Sequence, residues 1–143
     1  MSAMGVGQFD TKIAVVVRDD LATWQRLNVT AFMISGVTAH AGAVAIGADY
    51  LDADGRRYLP LLVQPVLVLE AGAAKLRTVR ERADRRGVPI AIYTNEMFGT
   101  GNDEDNRAAV RAVATEELDL VGIAVRAPHR DADAILRGLR RHP

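Results

Sequence analysis

The stretch Lys12-Ile13-Ala14-Val15-Val16-Val17 decides the fold class of this chain. Its apolar residues are continuous rather than alternating, which is typical of a strand covered on both faces. Residues 66–69, 90–93 and 120–125 have the same character, and helical patterns separate them. Strands alternating with helices predict a three-layer α/β/α sandwich around a small, mixed, mostly parallel four-stranded sheet. The direction of the fourth strand stays open, because the link before it is not a simple crossover.

The helix after the first strand is predicted to bury one apolar face against the sheet. Asp19 or Asp20 can cap it, and it runs toward His40 with a break or a close packing contact at Gly36. Its apolar residues recur at intervals of three and four, so we expect them, with Phe32, in the core. They are Leu21, Trp24, Leu27, Ala31 and Ile34.

Three more helical patterns complete the chain. Residues 73–86 form a helix with Leu76, Val79 and Ala83 inside, residues 106–114 form a short helix, and Pro128 opens the last one. Leu136 and Leu139 continue the apolar face of that last helix. Between the first helix and the second strand, the residues Asp52-Ala53-Asp54-Gly55 predict a turn.

Composition places the chain among globular proteins. Its 143 residues are 49% hydrophobic and 25% charged, which fits one domain over residues 1–143. Eighteen basic residues balance eighteen acidic ones, so no global field would hold a polyanion. The absence of cysteine excludes disulfides, thiolate metal sites and cysteine nucleophiles. Without a leader-like start or an apolar run near the ~18 residues that span a bilayer, we expect a cytoplasmic protein and no membrane contact.

Several motifs that would indicate a specific chemistry are missing or misplaced. His40, His129 and His142 have no metal-site spacing, and Asn102-Asp103-Glu104-Asp105 lacks the glycine and terminal glutamate of a calcium loop. Gly5-Val6-Gly7 precedes the first strand, whereas a dinucleotide-binding turn follows its strand. We therefore expect no metal and no cofactor.

The loops that leave the first and third strands are the candidate functional site. Ligands of open parallel sheets gather at the carboxyl ends of the strands, where residues 18–20 and the long polar loop 94–107 are expected to meet. In that loop, Glu96 is either a general base or a solvated acid. Arg107 and Arg111, four residues apart, can pair with Glu104 or with solvent.

The order of these elements and several short motifs resemble the type II peptidyl-tRNA hydrolase superfamily. The likeness covers most of the chain and implies that superfamily's fold and a homodimer. The residues that carry it are Val16-Val17-Arg18-Asp19-Asp20-Leu21, Pro65-Val66-Leu67-Val68-Leu69, Val88-Pro89-Ile90-Ala91-Ile92-Tyr93-Thr94-Asn95 and Leu120-Val121-Gly122-Ile123-Ala124-Val125.

The chain is more similar still to an uncharacterised branch of that superfamily, domain of unknown function 2000, through residues 27–32, 93–100 and 106–107. In the true hydrolases a lysine and a histidine lie on the first helix, and an aspartate follows the third strand. Here Asn28, Ser35 and Asn95 stand in those places. Each replacement removes a charge or a titratable group, which puts the parent hydrolysis in doubt.

Two functions remain open from the sequence. One is a divergent hydrolase or acyl-transfer enzyme acting on a small acyl substrate, with Glu96 as base and Asn28 or Thr100 as hydrogen-bond donors to the substrate. The other is a non-catalytic protein that binds a small molecule or a nucleotide. In both, the expected ligand-binding residues are Asp20, Thr30, Thr94, Asn95 and Asn106.

Binding of tRNA through the outer face of the second helix is a weaker alternative, because a solvated surface explains the same arginines. They are Arg77, Arg80, Arg82, Arg85 and Arg86.

Overall fold

The computed structural model describes residues 9–143. The predicted features at Gly5-Val6-Gly7 and at the start of the chain lie outside this range. The elements, in chain order, are β1 (Thr11–Arg18), α1 (Thr23–Ala41), β2 (Tyr50–Leu51), β3 (Arg57–Tyr58), β4 (Val66–Ala71), α2 (Ala73–Arg85), β5 (Ile90–Thr94), α3 (Asp103–Arg111), β6 (Leu120–Pro128), α4 (His129–Ile135) and β7 (Arg140–Arg141).

The main sheet has five strands in the order β5-β6-β1-β4-β7. Only β1 and β4 pair in parallel, while β6 pairs antiparallel with both β1 and β5, and β7 pairs antiparallel with β4. The prediction of a mixed α/β sheet is confirmed, but four strands and mostly parallel pairing are wrong. The fifth strand was missed because β7 has two residues, both arginines, and its partner Glu70 lies far away in the sequence.

Helices cover both faces of this sheet, as expected for a sandwich. On one face, α1 packs through Val29, Met33 and Val37 against Ile13 and Val15 of β1. On the other face, α2 and α4 pack against the alternate side chains of β1, β4 and β6. That second core includes Ala14, Val16, Leu76, Val79, Ala83, Ile123, Val125, Ala132 and Ile135.

The buried face of α1 differs from the prediction. The buried residues are Val29, Met33 and Val37, whereas Trp24 is 62% exposed and Phe32 is 52% exposed. Apolar residues occur on every side of this helix, so their spacing could not identify the face that meets the sheet. Trp24 and Phe32 are therefore not core residues.

The start and the middle of α1 differ in how well they match the sequence predictions. Neither predicted aspartate caps the helix: Ala22 is the N-cap residue, and the Asp20 carboxylate instead binds Arg18 Nε at 2.7 Å. The helix continues unbroken through Gly36. A Cβ at Gly36 would lie 3.5 Å from the Ala91 Cβ, which is the close packing contact that the glycine predicted.

Between α1 and β4 the chain makes an excursion that lacks contact with the main sheet over most of its length. The predicted turn is present, with the Gly55 N–H donating to the Asp52 carbonyl at 3.0 Å and Gly55 at a φ of 79°. The turn joins β2 and β3 into a separate two-stranded ribbon that the sequence did not predict. Each of these strands has two residues, too few for a periodic signal.

The other three helices are present as predicted, but their first or last residues differ from the predicted ones. The helix predicted over residues 73–86 is confirmed as α2, which ends one residue earlier at Arg85, with Gly87 at a φ of 66° after its C-cap. The short helix begins at Asp103 rather than at 106, because the Asn102 side chain accepts a hydrogen bond from the Asp105 N–H at 2.8 Å and caps it. The helix after Pro128 ends at Ile135, so Leu139 is not part of it.

By length and composition, the segment from Thr23 to Ala45 could cross a membrane. Core helices of globular domains pass the same test. Here α1 is packed on the sheet through its buried side chains, as one layer of a globular domain.

Candidate functional site

A cleft of about 900 Å³ lies between α1 and α3, with β5 at its base. Its volume is that of a pocket for a small organic molecule. The α1 side supplies Trp24, Asn28 and Phe32, and the segment after β5 supplies the opposite side. The loop after the third predicted strand therefore does form part of a cavity, as the sequence predicted.

Four aromatic rings follow one another along the cleft. Trp24 meets Phe98 edge-on at a centroid distance of 5.9 Å, and Phe98 meets Tyr93 at 5.2 Å. Tyr93 then meets Phe32 edge-on at 5.9 Å. Edge-to-face contacts hold the rings in place and leave ring surface free on Trp24 and Phe32, the two exposed members. The cleft thus offers a partly open aromatic wall.

Amide and hydroxyl groups face this wall. Burial raises the pKa of the Tyr93 hydroxyl above its ordinary value, and the nearby Asn28 side chain acts in the opposite direction. Across the cleft, the Thr100 hydroxyl lies between Asn106 Oδ1 and the Met97 carbonyl, 3.0 Å away. These groups are uncharged at neutral pH and can donate to or accept from a ligand.

Charged groups are confined to the α3 end of the cleft. Arg107 pairs with Asp103 one helical turn away, and both line the cleft. Arg111 also lines it and forms no ion pair within residues 9–143. An acidic group on a ligand could therefore meet Arg111 without displacing an existing ion pair of the described chain.

Three of the predicted site residues meet in the cleft, namely Asn28, Thr100 and Asn106. The other five do not line it. Asp20 is exposed and pairs with Arg18, while the Thr30 hydroxyl donates to the Arg26 carbonyl of its own helix at 2.8 Å. The remaining three are Thr94, Asn95 and Glu96.

Thr94 ends β5, and Asn95 and Glu96 begin the 3-10 turn Asn95–Gly99 that follows it. Thr94 is buried, and its hydroxyl has no hydrogen-bond partner among the described residues. Asn95 and Glu96 are exposed, and the Asn95 N–H donates to the Asp119 carbonyl at 2.9 Å. The loop after β1 reaches the same place, since Arg18 Nη1 donates to Asp119 Oδ1 at 2.5 Å. The two predicted loops therefore meet at Asp119, beside the cleft lining rather than within it.

Sequence reasoning missed the aromatic side chains of the cleft because it assigned Trp24 and Phe32 to the core. One signal could have revealed them. Trp24, Asn28 and Phe32 recur every four residues, which places them on one stripe of α1 with a polar residue in the middle. An asparagine on a core stripe would need a buried hydrogen-bond partner, whereas on a binding surface its amide can bond a ligand.

The part of the chain that the structure describes contains no group of three or more His, Asp or Glu side chains placed to hold a metal ion. The arginines of α2 are largely engaged with their own chain. Arg80 pairs with Glu116, Arg86 pairs with Asp131, and Arg82 donates to the Ile135 and Arg137 carbonyls. Among residues 9–143, Arg77 and Arg85 of α2 are left without an ion pair or a side-chain hydrogen bond, so the free basic face is small.

Two of three comparisons with known proteins found a match. A search of curated proteins found no match. Among solved structures, the chain is similar to Atu0240, a protein of unknown function from Agrobacterium tumefaciens strain C58, with 42% sequence identity and a TM-score of 0.91. That similarity covers 94% of this chain and 99% of the other.

The model of the DUF2000 family, described as a protein of unknown function, matches residues 11–143. This finding confirms the closer of the two resemblances seen in the sequence and does not extend to the peptidyl-tRNA hydrolases. Because the match covers almost the whole chain, the protein belongs to the DUF2000 family.

Proposed function

We propose that this protein binds a small amphipathic molecule in the cleft between α1 and α3. The ligand has a flat or apolar body, which lies against Trp24 and Phe32, and a hydrogen-bonding or acidic end, which reaches Asn28, Thr100 or Arg111. The observation that supports this most directly is the partly exposed row of aromatic rings facing neutral amide and hydroxyl groups. Such a combination is the usual lining of a small-molecule pocket.

Binding without catalysis is the better supported of the two functions considered from the sequence. Catalysis as hypothesised needs Glu96 as base, yet Glu96 is exposed and does not line the cleft. A general base must lie within hydrogen-bond reach of the proton that it removes. The proposal therefore assigns the polar ligand contacts to Asn28, Thr100 and Arg111 and gives Glu96 no part.

A wider kinship with the type II peptidyl-tRNA hydrolases is part of this proposal. It is supported by the order of elements and the short apolar motifs of the strands. The loss of the lysine, histidine and aspartate, with Asn28, Ser35 and Asn95 in their places, then fits a scaffold that kept a crevice and lost its chemistry.

Trp24 is the single tryptophan of the chain, so its fluorescence reports directly on the cleft. The experiment titrates the protein with N-acyl amino acids, aromatic carboxylates and nucleoside monophosphates while following that emission. We expect saturable quenching by at least one class. Asn28→Leu and Phe98→Ala are each expected to weaken binding about tenfold, the size of one lost hydrogen bond or ring contact. Glu96→Gln, a polar change outside the cleft, is the control and should bind as the wild type does.

Two results would overturn the proposal. One is the absence of saturable quenching by every member of the panel. The other is multiple turnover of acyl-tRNA, acylated amino acids or esters, which would favour the hydrolase, and loss of that turnover in Glu96→Gln would assign the base.

A further inference from the structure

The excursion between α1 and β4 exposes an unusual amount of apolar surface. We call residues 44–63 the arm. Residues 47–59 within it are all exposed. Seven large apolar side chains of the arm are between 43% and 84% exposed, and they are Val44, Tyr50, Leu51, Tyr58, Leu59, Leu61 and Val63. No arm residue lines the cleft, so the arm needs a separate explanation.

The arm is nevertheless an ordered ribbon. The Gly47 N–H donates to the Leu61 carbonyl and the Val63 N–H to the Ala45 carbonyl, both at 3.0 Å. At the tip, Asp52 Oδ1 accepts from the Asp54 and Arg56 N–H groups, and Asp52 Oδ2 accepts from the Tyr58 hydroxyl at 2.8 Å. An isolated two-stranded ribbon is marginal in water, so this one gains if a second surface packs on it.

The exposed area matches that of a stable interface. At roughly 100–150 Å² for each residue, the seven side chains expose on the order of 800 Å², which is about what each partner contributes to a standard protein–protein interface. Monomeric proteins rarely leave a contiguous apolar patch of more than a few hundred Å² in water. Tyr50 and Tyr58 lie on one face of the ribbon and Leu51 on the other, so the arm carries enough apolar surface for one complete interface when both faces are counted.

The charges of the arm suit a second copy of the same chain. Asp49 pairs with Arg57 of its own ribbon at 3.1 Å, whereas Asp54 before Gly55 and Arg56 after it are exposed and form no ion pair among the described residues. In a two-fold arrangement, Asp54 of one ribbon can lie against Arg56 of its copy, and the same contact occurs twice. The formal net charge of the chain is 0, so two copies do not repel each other as wholes. We propose that the arms of two copies pack together as the interface of a homodimer.

Sedimentation equilibrium of the wild-type chain tests this directly. At about 50 µM, above the micromolar Kd at the weak end for interfaces of this size, the expected mass is twice 15.5 kDa. A wild-type mass of 15.5 kDa would overturn the proposal without any variant. Leu59→Glu, at the most exposed of the seven positions, should give the monomer mass with an unchanged circular dichroism spectrum. Leu27→Glu makes the same change at an exposed leucine outside the arm and should remain dimeric.

Paired charge changes identify the partner as another copy. Arg56→Glu makes the tip of the arm more acidic and Asp54→Lys makes it more basic, and both variants leave the Asp49–Arg57 pair within the ribbon intact. Each variant alone should be shifted toward monomer, and their equimolar mixture should recover the dimer mass. Failure of the mixture to associate, or a Leu59→Glu variant that stays dimeric, would show that the arms do not meet. These outcomes do not depend on ligand binding in the cleft.

Discussion

Replacing Gly122 with alanine tests how tightly α1 packs on the sheet. A Cβ at Gly122 would lie 2.5 Å from Val29 Cγ1, 2.7 Å from Met33 Cε and 2.9 Å from Met33 Sδ, all closer than real carbon atoms approach. The end of Met33 is flexible and can move, but Val29 is β-branched and has a single preferred rotamer in a helix. The methyl group is therefore accommodated only if α1 moves away from β6.

The size of the effect follows from known costs. Overpacking by one methyl group costs about 1–3 kcal/mol. Alanine restores about 0.5 kcal/mol, because it restricts the unfolded chain more than glycine does. The net loss in the free energy of unfolding is then about 1.5 kcal/mol. With an unfolding entropy of about 2.1 cal/mol/K per residue over this chain, Tm should fall by about 5 °C.

The assay is thermal unfolding followed by circular dichroism. Gly99→Ala is the matched control, because nothing lies within 4 Å of its added Cβ, and its Tm should change by less than about 2 °C. In the double variant Gly122→Ala with Val29→Ala, the removed methyl groups make room for the added one, so the double loss should be smaller than the sum of the single losses by about 1 kcal/mol. A wild-type Tm for Gly122→Ala, or additive losses in the double variant, would refute the packing argument.

Three further changes probe other parts of the fold. Asn102→Ala removes the cap of α3 and should cost about 1 kcal/mol of unfolding free energy, measured in urea, with weaker ligand binding at that wall of the cleft. Glu70 has a 12% exposed side chain, with Arg140 at 3.1 Å and Arg26 at 3.9 Å, so Glu70→Gln should cost about 2 kcal/mol and loosen β7, read by hydrogen exchange of its amides. Burial raises the pKa of Tyr93 in the folded state, so folding is favoured while the phenol is neutral. This contribution to the free energy of unfolding is complete below about pH 10, the ordinary pKa of tyrosine, and is lost as the pH rises through the raised value. Tm should therefore fall less steeply above pH 10 in Tyr93→Phe than in the wild type, and equal slopes would contradict this.

Four of the five strands of the main sheet were predictable because each contains a run of apolar residues. β1, for example, is buried at all of Ile13, Ala14, Val15, Val16 and Val17, and a short run rich in β-branched residues is typical of a strand covered on both faces. Pairing directions were not predictable, since they depend on how the chain returns after α3. That return passes through the 3-10 turn Thr115–Glu117 and sends β6 antiparallel to both neighbours.

The part of the candidate site in the polar loop after β5 was predictable, and the part formed by exposed aromatic residues of α1 was not. Thr100 and Asn106 were found because a long polar loop with two glycines is unusual after a buried strand. Trp24 and Phe32 were missed because an aromatic residue on an amphipathic helix is normally buried. The assumption fails on α1, which meets the sheet with one side and the cleft with an adjacent one.

These two sides of α1 link the packing of the fold to the proposed binding site. Trp24, Asn28 and Phe32 form the stripe that lines the cleft, and Val29, Met33 and Val37 form the stripe that is buried. The stripes are offset by one residue, or about 100° around the helix, so they share an edge. Met33 lies on that edge, since it packs in the core and also lines the cleft.

Gly122 therefore influences the shape of the cleft through Met33, which lies between the glycine and the cleft. With no side chain on β6 at this point, Met33 can sit deep against the sheet and leave volume above it. An added methyl group at Gly122 would push the thioether of Met33 outward, into the space that the ligand would occupy. A ligand that quenches Trp24 should then bind Gly122→Ala more weakly than Gly99→Ala, although neither glycine lines the cleft. Equal affinities in the two variants would mean that the core and the cleft are independent.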